Sequence, residues 1–174
     1  MLETITLAGG CFWCLEAVFL QVRGVQSANS GYMGGRIESP TYEQICRGDT
    51  GHAEVVQVTF DPQLITQAQL LDVFFAIHDP TTHNRQGNDV GTQYRSAIFA
   101  STEDQIQSSK SKLRDLKNSF TDPILTEVLL ASQFWPAEVE HHDYYSKHPQ
   151  QPYCRAVVEP KLRKFLTHFP SLTK

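Results

Sequence analysis

A thiol that follows two glycines is the first feature of this sequence able to do chemistry. Gly9-Gly10-Cys11-Phe12-Trp13-Cys14 comes after the alternating stretch Leu2–Leu7 and leads into an apolar-periodic run. That pattern reads as a strand, a tight turn and a helix opening at Cys11. The first turn of a helix presents unpaired N–H groups and a partial positive charge. Both stabilise a thiolate, the nucleophilic form of cysteine, so Cys11 is expected to lose its proton near neutral pH. Gly9 and Gly10 permit the turn and leave room for a substrate. Cys14 stands three positions on, and this C-x-x-C relation also fits a thioredoxin-like redox pair or half of a zinc site. The zinc reading lacks partners. No second C-x-x-C exists, Cys46 and Cys154 stand alone, and the adjacent His141 and His142 would face different sides of a helix. A redox thiol is the expectation, with no metal, nucleotide or flavin bound.

The elements that must position this thiol can be read from periodicity. Phe12 to Val22 is a helix with Phe12, Leu15, Val18, Phe19 and Val22 on one face, and Val25 to Met33 is a second extended stretch. Thr41 to Cys46 suits a short helix. Ala53 to Phe60, AEVVQVTF, is the clearest strand, rich in valine and alternating. Thr66 to His78 is an amphipathic helix with Thr66 as N-cap. Asp79 to Gly91 is a polar loop, long enough to suggest a function. Gln93 to Ala100 and Leu125 to Leu130 are strands, and Thr102 to Asn118 is a helix. Ala137 to Ser146 looks helical, Lys147 to Tyr153 irregular, and Lys161 to Phe169 is a last helix. Strands and helices alternate, so the fold class is α/β or α+β: one mixed sheet with helices packed on it and a long irregular C-terminal segment. The pattern leaves strand order open.

Composition narrows the class. The chain has 174 residues, 40% of them apolar, enough for one domain over 1–174 with its own core. The net charge of -4, with basic residues gathered only near Lys161, Arg163, Lys164 and Lys174, argues against a nucleic-acid partner. No run approaches the ~18 apolar residues of a membrane helix. The start, Met1-Leu2-Glu3-Thr4, has no basic-then-apolar leader, so the cytoplasm is the expected compartment. There thiols stay reduced, and the four cysteines are not a disulfide scaffold. A monomer is expected.

These residues resemble a known family. Gly9-Gly10-Cys11-Phe12-Trp13 is similar to the signature of the A-type peptide methionine sulfoxide reductases. Thr41-Tyr42-Glu43 resembles their Ser-Tyr-Glu, and Gly51-His52-Ala53-Glu54 their Gly-His-Ala-Glu. The run Asn84-Arg85-Gln86-Gly87-Asn88-Asp89-Val90-Gly91-Thr92-Gln93-Tyr94-Arg95-Ser96 resembles their longest signature. Gln151-Pro152-Tyr153-Cys154 resembles their C-terminal thiol segment. There are two departures: Cys14 stands where many members have glycine, and Val139-Glu140-His141-His142 replaces the more usual Tyr before the His and Gln after it.

The resemblance implies reduction of the S epimer of methionine sulfoxide, free or in proteins, as a repair of oxidative damage. It implies Cys11 as the thiolate that attacks sulfur and Glu54 as the acid that protonates the departing oxygen. Glu54 opens the apolar strand, where desolvation would raise its pKa and keep it protonated. Tyr42 and Tyr94 would hold the oxygen, Asp89 would orient this set or bind the substrate amide, and Phe12, Trp13 and His52 would bind substrate. The sulfenic acid left on Cys11 would condense with Cys154, carried on a flexible Pro-rich segment, or with Cys14, or with the two in series. Thioredoxin would serve as the external reductant. Two other readings stay open at this point. One is a general thiol–disulfide oxidoreductase built on Cys11 and Cys14. The other is a non-enzymatic domain that binds Met-rich or oxidised peptides.

Overall fold

In the computed structural model, which describes residues 1–174, the chain is arranged around its most apolar segment. Strands β1 (Glu3–Gly9), β2 (Val25–Met33) and β3 (Ala53–Phe60) form an antiparallel trio with β3 in the middle. Six of the eight β3 residues are buried, because the strand is covered on both faces. The two-residue strands β4 (Arg85–Gln86) and β5 (Asp89–Val90) pair only with each other. Strand β6 (Ser96–Ala100) pairs antiparallel with β1, and β7 (Glu127–Leu130) runs parallel to β6 at one edge. At the other edge β8 (Trp135–Pro136) adds two residues against β2. The order is β7-β6-β1-β3-β2-β8, a mixed sheet with helices packed on it.

Helix α1 (Phe12–Phe19) is the central helix: every residue but Trp13 is buried. It lies against β2 and β3 and is covered by α6 (Glu159–His168). Helix α2 (Tyr42–Cys46) and helix α3 (Gln67–Ala76) both begin with a reciprocal cap. Thr41 Oγ1 accepts the Gln44 N–H at 3.2 Å while Gln44 Oε1 accepts the Thr41 N–H at 2.8 Å. Thr66 and Gln69 make the same exchange at 3.1 and 3.0 Å. Helix α4 (Glu103–Leu116) covers β6 and β7. No helix is long and apolar enough to cross a membrane.

Three segments depart from the periodicity. The polar loop over 79–91 contains the β4–β5 hairpin, and Tyr94 lies in a 3-10 turn, Thr92–Tyr94, ahead of β6 rather than on a strand. The stretch expected to be helical over 137–146 is broken into a 3-10 turn, Val139–His141, and the four-residue α5 (Tyr144–Lys147). Between them Asp143 takes a left-handed conformation, φ 54, because its N–H turns inward to Glu16. The last helix begins early. A π-helical turn, Cys154–Val158, runs straight into α6, so only the part of the C-terminal segment before it is irregular.

Candidate active site

Cys11 is the N-cap of α1, with extended backbone, φ -63 and ψ 128. Gly10 before it has φ +93, and a Cβ there would meet Gln86 Cγ at 2.6 Å, so no side chain fits between the thiol's turn and Gln86. Gln86 is itself pinned, accepting the Asp79 N–H at 2.8 Å and donating to the Asp79 carbonyl at 2.9 Å. The thiol opens into a cleft of about 210 Å³ lined by Cys11, Trp13, Tyr42, Asp89, Tyr94, Gln151 and Tyr153. Five residues singled out in the sequence thus converge on one small volume.

Helix position does not make this thiol acidic in the closed cleft. Cys11 is 7% exposed, and burial pushes its thiol well above the ordinary value, followed by a hydrogen bond with Cys14 and the nearby Glu54 carboxyl. The first-turn N–H groups are already engaged: Phe12 donates to Glu54 Oε1 at 3.1 Å and Cys14 donates to the Cys11 carbonyl at 3.1 Å. Only the Trp13 N–H reaches the sulfur and pulls the other way. Desolvation therefore exceeds the dipole, which corrects the expectation of a thiolate at neutral pH.

Glu54 is the second residue of β3 and 1% exposed. One carboxyl oxygen accepts the Phe12 N–H, and the other, Oε2, has no partner. Burial raises its pKa to about 8. At neutral pH it is a carboxylic acid with a proton to give. Tyr42 opens α2 and Tyr94 ends its 3-10 turn; burial carries both phenols far above their ordinary range, so they remain donors. Asp89 Oδ2, at the start of β5, accepts the Tyr153 hydroxyl at 2.5 Å.

Other expected residues lie elsewhere. Phe12 is fully buried behind the cleft, tilted against Tyr32 and His141 and stacked on Tyr42, so it supports the wall and does not form it. His52 is not in the cleft. Its Nδ1 accepts the Gly35 N–H at 3.0 Å and its Nε2 donates to the Ile37 carbonyl at 2.7 Å, so both nitrogens are spent on holding a turn. Cys154 is not on a flexible segment: it is fully buried in the π-helical turn, in the core cluster that also contains Cys14. Cys46 is exposed at the end of α2 beside Tyr42.

Sequence reasoning missed several residues. His141 Nδ1 accepts the Trp13 indole N–H at 3.2 Å, and Tyr144 stacks on Trp13 at 3.8 Å. Glu138 accepts the Tyr42 N–H at 2.8 Å and the buried Tyr32 hydroxyl at 2.9 Å, tying Tyr42 to β2. Tyr153 and Gln151 line the cleft. The available signal was the density of aromatic and ionisable residues in 134–153, which a helical assignment obscured. No three His, Cys, Asp or Glu side chains are grouped as metal ligands would be.

A buried thiol and two phenols lining one small cleft, with a buried carboxyl bonded to the N–H next to that thiol, fit a class, the thiol-dependent oxidoreductases. The comparisons name it further. The family model described as peptide methionine sulfoxide reductase matches residues 3–172. The peptide methionine sulfoxide reductase MsrA of Ralstonia nicotianae is 55% identical over 174 residues, covering 97% of this chain and 91% of the relative. The crystal structure of Mxr1 from Saccharomyces cerevisiae in reduced form matches with a TM-score of 0.82 and 35% identity, over 88% of this chain and 89% of that one. Mxr1 in complex with Trx2 matches at 0.58 and 26%, over 82% and 84%. The chain belongs to the A-type peptide methionine sulfoxide reductases and is an oxidoreductase of that family.

Proposed function

We propose that this chain reduces the S epimer of methionine sulfoxide, free or within proteins, to methionine as a repair of oxidative damage. The observation that carries the reading is the unpartnered, buried Oε2 of Glu54, whose other carboxyl oxygen accepts the N–H of Phe12, the residue next to Cys11. A sulfoxide oxygen entering the cleft would accept the Glu54 proton and the hydroxyls of Tyr42 and Tyr94. Protonation makes the sulfur electrophilic and sharpens the attack of Cys11. Substrate also displaces cleft solvent, and proton transfer from the Cys11–Glu54 pair leaves the sulfur free to attack as thiolate. The bond between Cys11 sulfur and the substrate sulfur is transient: the hydroxyl passes from the substrate sulfur to Cys11 sulfur as both that S–S bond and the original S–O bond break, so methionine departs and Cys11 holds a sulfenic acid.

The methyl group would pack on Trp13, whose indole His141 and Tyr144 hold in place. Oxygen and methyl cannot exchange without burying the oxygen away from its donors, which supports selection of one epimer. Asp89, with Tyr153, would receive the substrate amide. A second thiol, Cys154 or Cys14, would take the sulfenic acid to a disulfide. Because a yeast relative forms a complex with Trx2, thioredoxin is the reductant we propose here. No step requires a second copy of the chain.

The test is a single turnover of reduced protein with each separated epimer. The expected result is methionine from one epimer and none from either in Cys11→Ser. Equal reaction of both epimers would contradict the pocket argument.

A further inference from the structure

Glu54 Oε2 and Gln93 Oε1 are buried side-chain oxygens without a hydrogen-bond partner. The reaction proposed for the chain draws on the first and not on the second. Gln93 is 4% exposed and lies in the 3-10 turn Thr92–Tyr94, one residue before Tyr94. Unpaired buried polar atoms are costly and rare in folded proteins, so this side chain is retained for something other than that bond.

Its neighbours are two glycines. A Cβ on Gly91 would lie 2.3 Å from Gln93 Oε1, 2.7 Å from Cδ and 2.9 Å from Nε2, so the whole amide rests against the bare α-carbon of Gly91. A Cβ on Gly48 would meet the same oxygen at 3.4 Å. Both glycines have positive φ, +146 and +77, and both belong to turns that carry the site. Gly48 follows α2, which begins with Tyr42, and its N–H donates to the Ile45 carbonyl at 2.9 Å. Gly91 accepts the Tyr94 N–H at 3.0 Å and donates to the Asn84 carbonyl at 2.9 Å, joining the 3-10 turn to the hairpin loop that contains Asp89.

The residues beside Gln93 stitch the same two stretches together. Thr92 Oγ1 donates to the Gly48 carbonyl at 3.2 Å. The Arg95 guanidinium donates to the Gly51 carbonyl at 3.0 Å and to the Thr92 carbonyl at 2.9 Å. Residues 48–51 run from α2 toward β3, which carries Glu54. One joint thus connects the elements bearing Tyr42, Glu54 and Tyr94, and the Gln93 amide fills its middle.

We propose that Gln93 is a positioning residue for sulfoxide reduction: its amide is the spacer between the Gly48 and Gly91 turns, and that spacing sets the separation of the Tyr42 and Tyr94 hydroxyls. This rests on the reading in which both phenols hold the sulfoxide oxygen. Because Oε1 makes no bond, the side chain contributes volume, which an unbranched apolar residue of similar length can replace. Removing it leaves a cavity into which the turns partly relax, and the hydroxyls shift against each other. Donors aimed at a developing charge act mainly on the chemical step, so the loss falls on rate more than on binding.

The experiment compares Gln93→Ala, which removes the spacer, with Gln93→Met, which keeps it. Two readouts are taken: amide hydrogen exchange by mass spectrometry, and single-turnover methionine formation at equal folded fraction. In Gln93→Ala, segments 41–48 and 91–95 should exchange faster together while α3 is unchanged. The rate at saturating sulfoxide should fall by up to about a hundredfold, the cost of a group displaced by about 1 Å, with little change in the half-saturating concentration. Gln93→Met should keep both readouts near wild type. In a Tyr42→Phe/Tyr94→Phe background, Gln93→Ala should cost no further rate, because the donors it positions are gone. Unchanged exchange in both segments would overturn the spacer. So would a rate loss by the same factor in both backgrounds, or Gln93→Met as slow as Gln93→Ala. Tyr42→Phe/Tyr94→Phe as fast as wild type would instead overturn the phenol roles beneath the proposal, and the exchange result would still decide the spacer.

Discussion

Glu16 and Glu54 both bury a carboxyl group against α1, and the protein solvates them in opposite ways. Glu16 has a bond for each oxygen: Oε2 accepts the Ser30 N–H at 3.3 Å and the Ser30 hydroxyl at 2.9 Å, and Oε1 accepts the Asp143 N–H. His142 Nδ1 approaches to 3.9 Å. Burial raises its pKa, and these hydrogen bonds oppose the rise. Glu54 has a single backbone donor and an oxygen with none, and its pKa climbs to about 8. A buried polar group without a partner is costly, so natural structures keep few of them. The saturated carboxyl ties α1, β2 and the 137–143 segment together. The unsaturated one keeps its proton at neutral pH and leaves one oxygen without a partner.

The contrast predicts different failures. Glu54→Gln should lower the single-turnover rate of methionine formation by roughly 10²–10⁴-fold, the range for loss of a general acid. Its fold should hold, as an amide can still accept the Phe12 N–H. Glu16→Gln turns a donor toward donors and should destabilise the fold by about 1–3 kcal/mol in chemical denaturation. The activity of the folded fraction should fall much less than in Glu54→Gln. If the two variants lose activity equally at equal folded fraction, the distinction is wrong.

Acidity separates them next. Only the protonated form of Glu54 can give a proton, so methionine formation should fall as pH rises through about 8, and Glu54→Gln should lose that limb. The linkage to stability has a definite sign. The folded pKa lies above the unfolded value near 4.5, so the folded state holds the extra proton between them. Wild-type stability should therefore decline from about pH 4.5 to about 8 relative to Glu54→Gln, by thermal unfolding across that window. The smallest expected effect belongs to the supporting wall. His141→Phe removes the acceptor for the Trp13 indole and should raise KM a few-fold with a smaller change in kcat, about the worth of one neutral hydrogen bond.

Much of this was legible where local sequence determines local structure. Strands β2 and β3 and the Thr66 cap follow directly from alternation and capping chemistry. The motif-bearing Cys11, Tyr42, Tyr94 and Asp89 reach the cleft because each sits at the start or end of an element, and the end of β1 lies beside the starts of β3, which carries Glu54, and of β6. What was not legible depends on side chains that bond the backbone across long separations. Glu16 reads as one charge on an apolar helix, and nothing local shows that Ser30 and Asp143 converge on it. Glu138 and His141 read as helix residues, yet they act from a 3-10 turn and the residue before it. The Cys11 thiol was misjudged for a related reason: a helix N-terminus is visible in sequence, whereas burial beside a carboxyl and a second thiol is a tertiary fact.

The central claim is that Glu54 stays protonated at neutral pH with one oxygen free for the substrate. Infrared difference spectroscopy of wild type against Glu54→Gln across pH tests it most directly. The account predicts a protonated carboxyl band present at pH 6 and lost with a midpoint near 8, shifted when methionine sulfoxide is bound to a Cys11→Ser chain. A Glu54 carboxyl already ionised at pH 6, or a band unmoved by the sulfoxide, would contradict it.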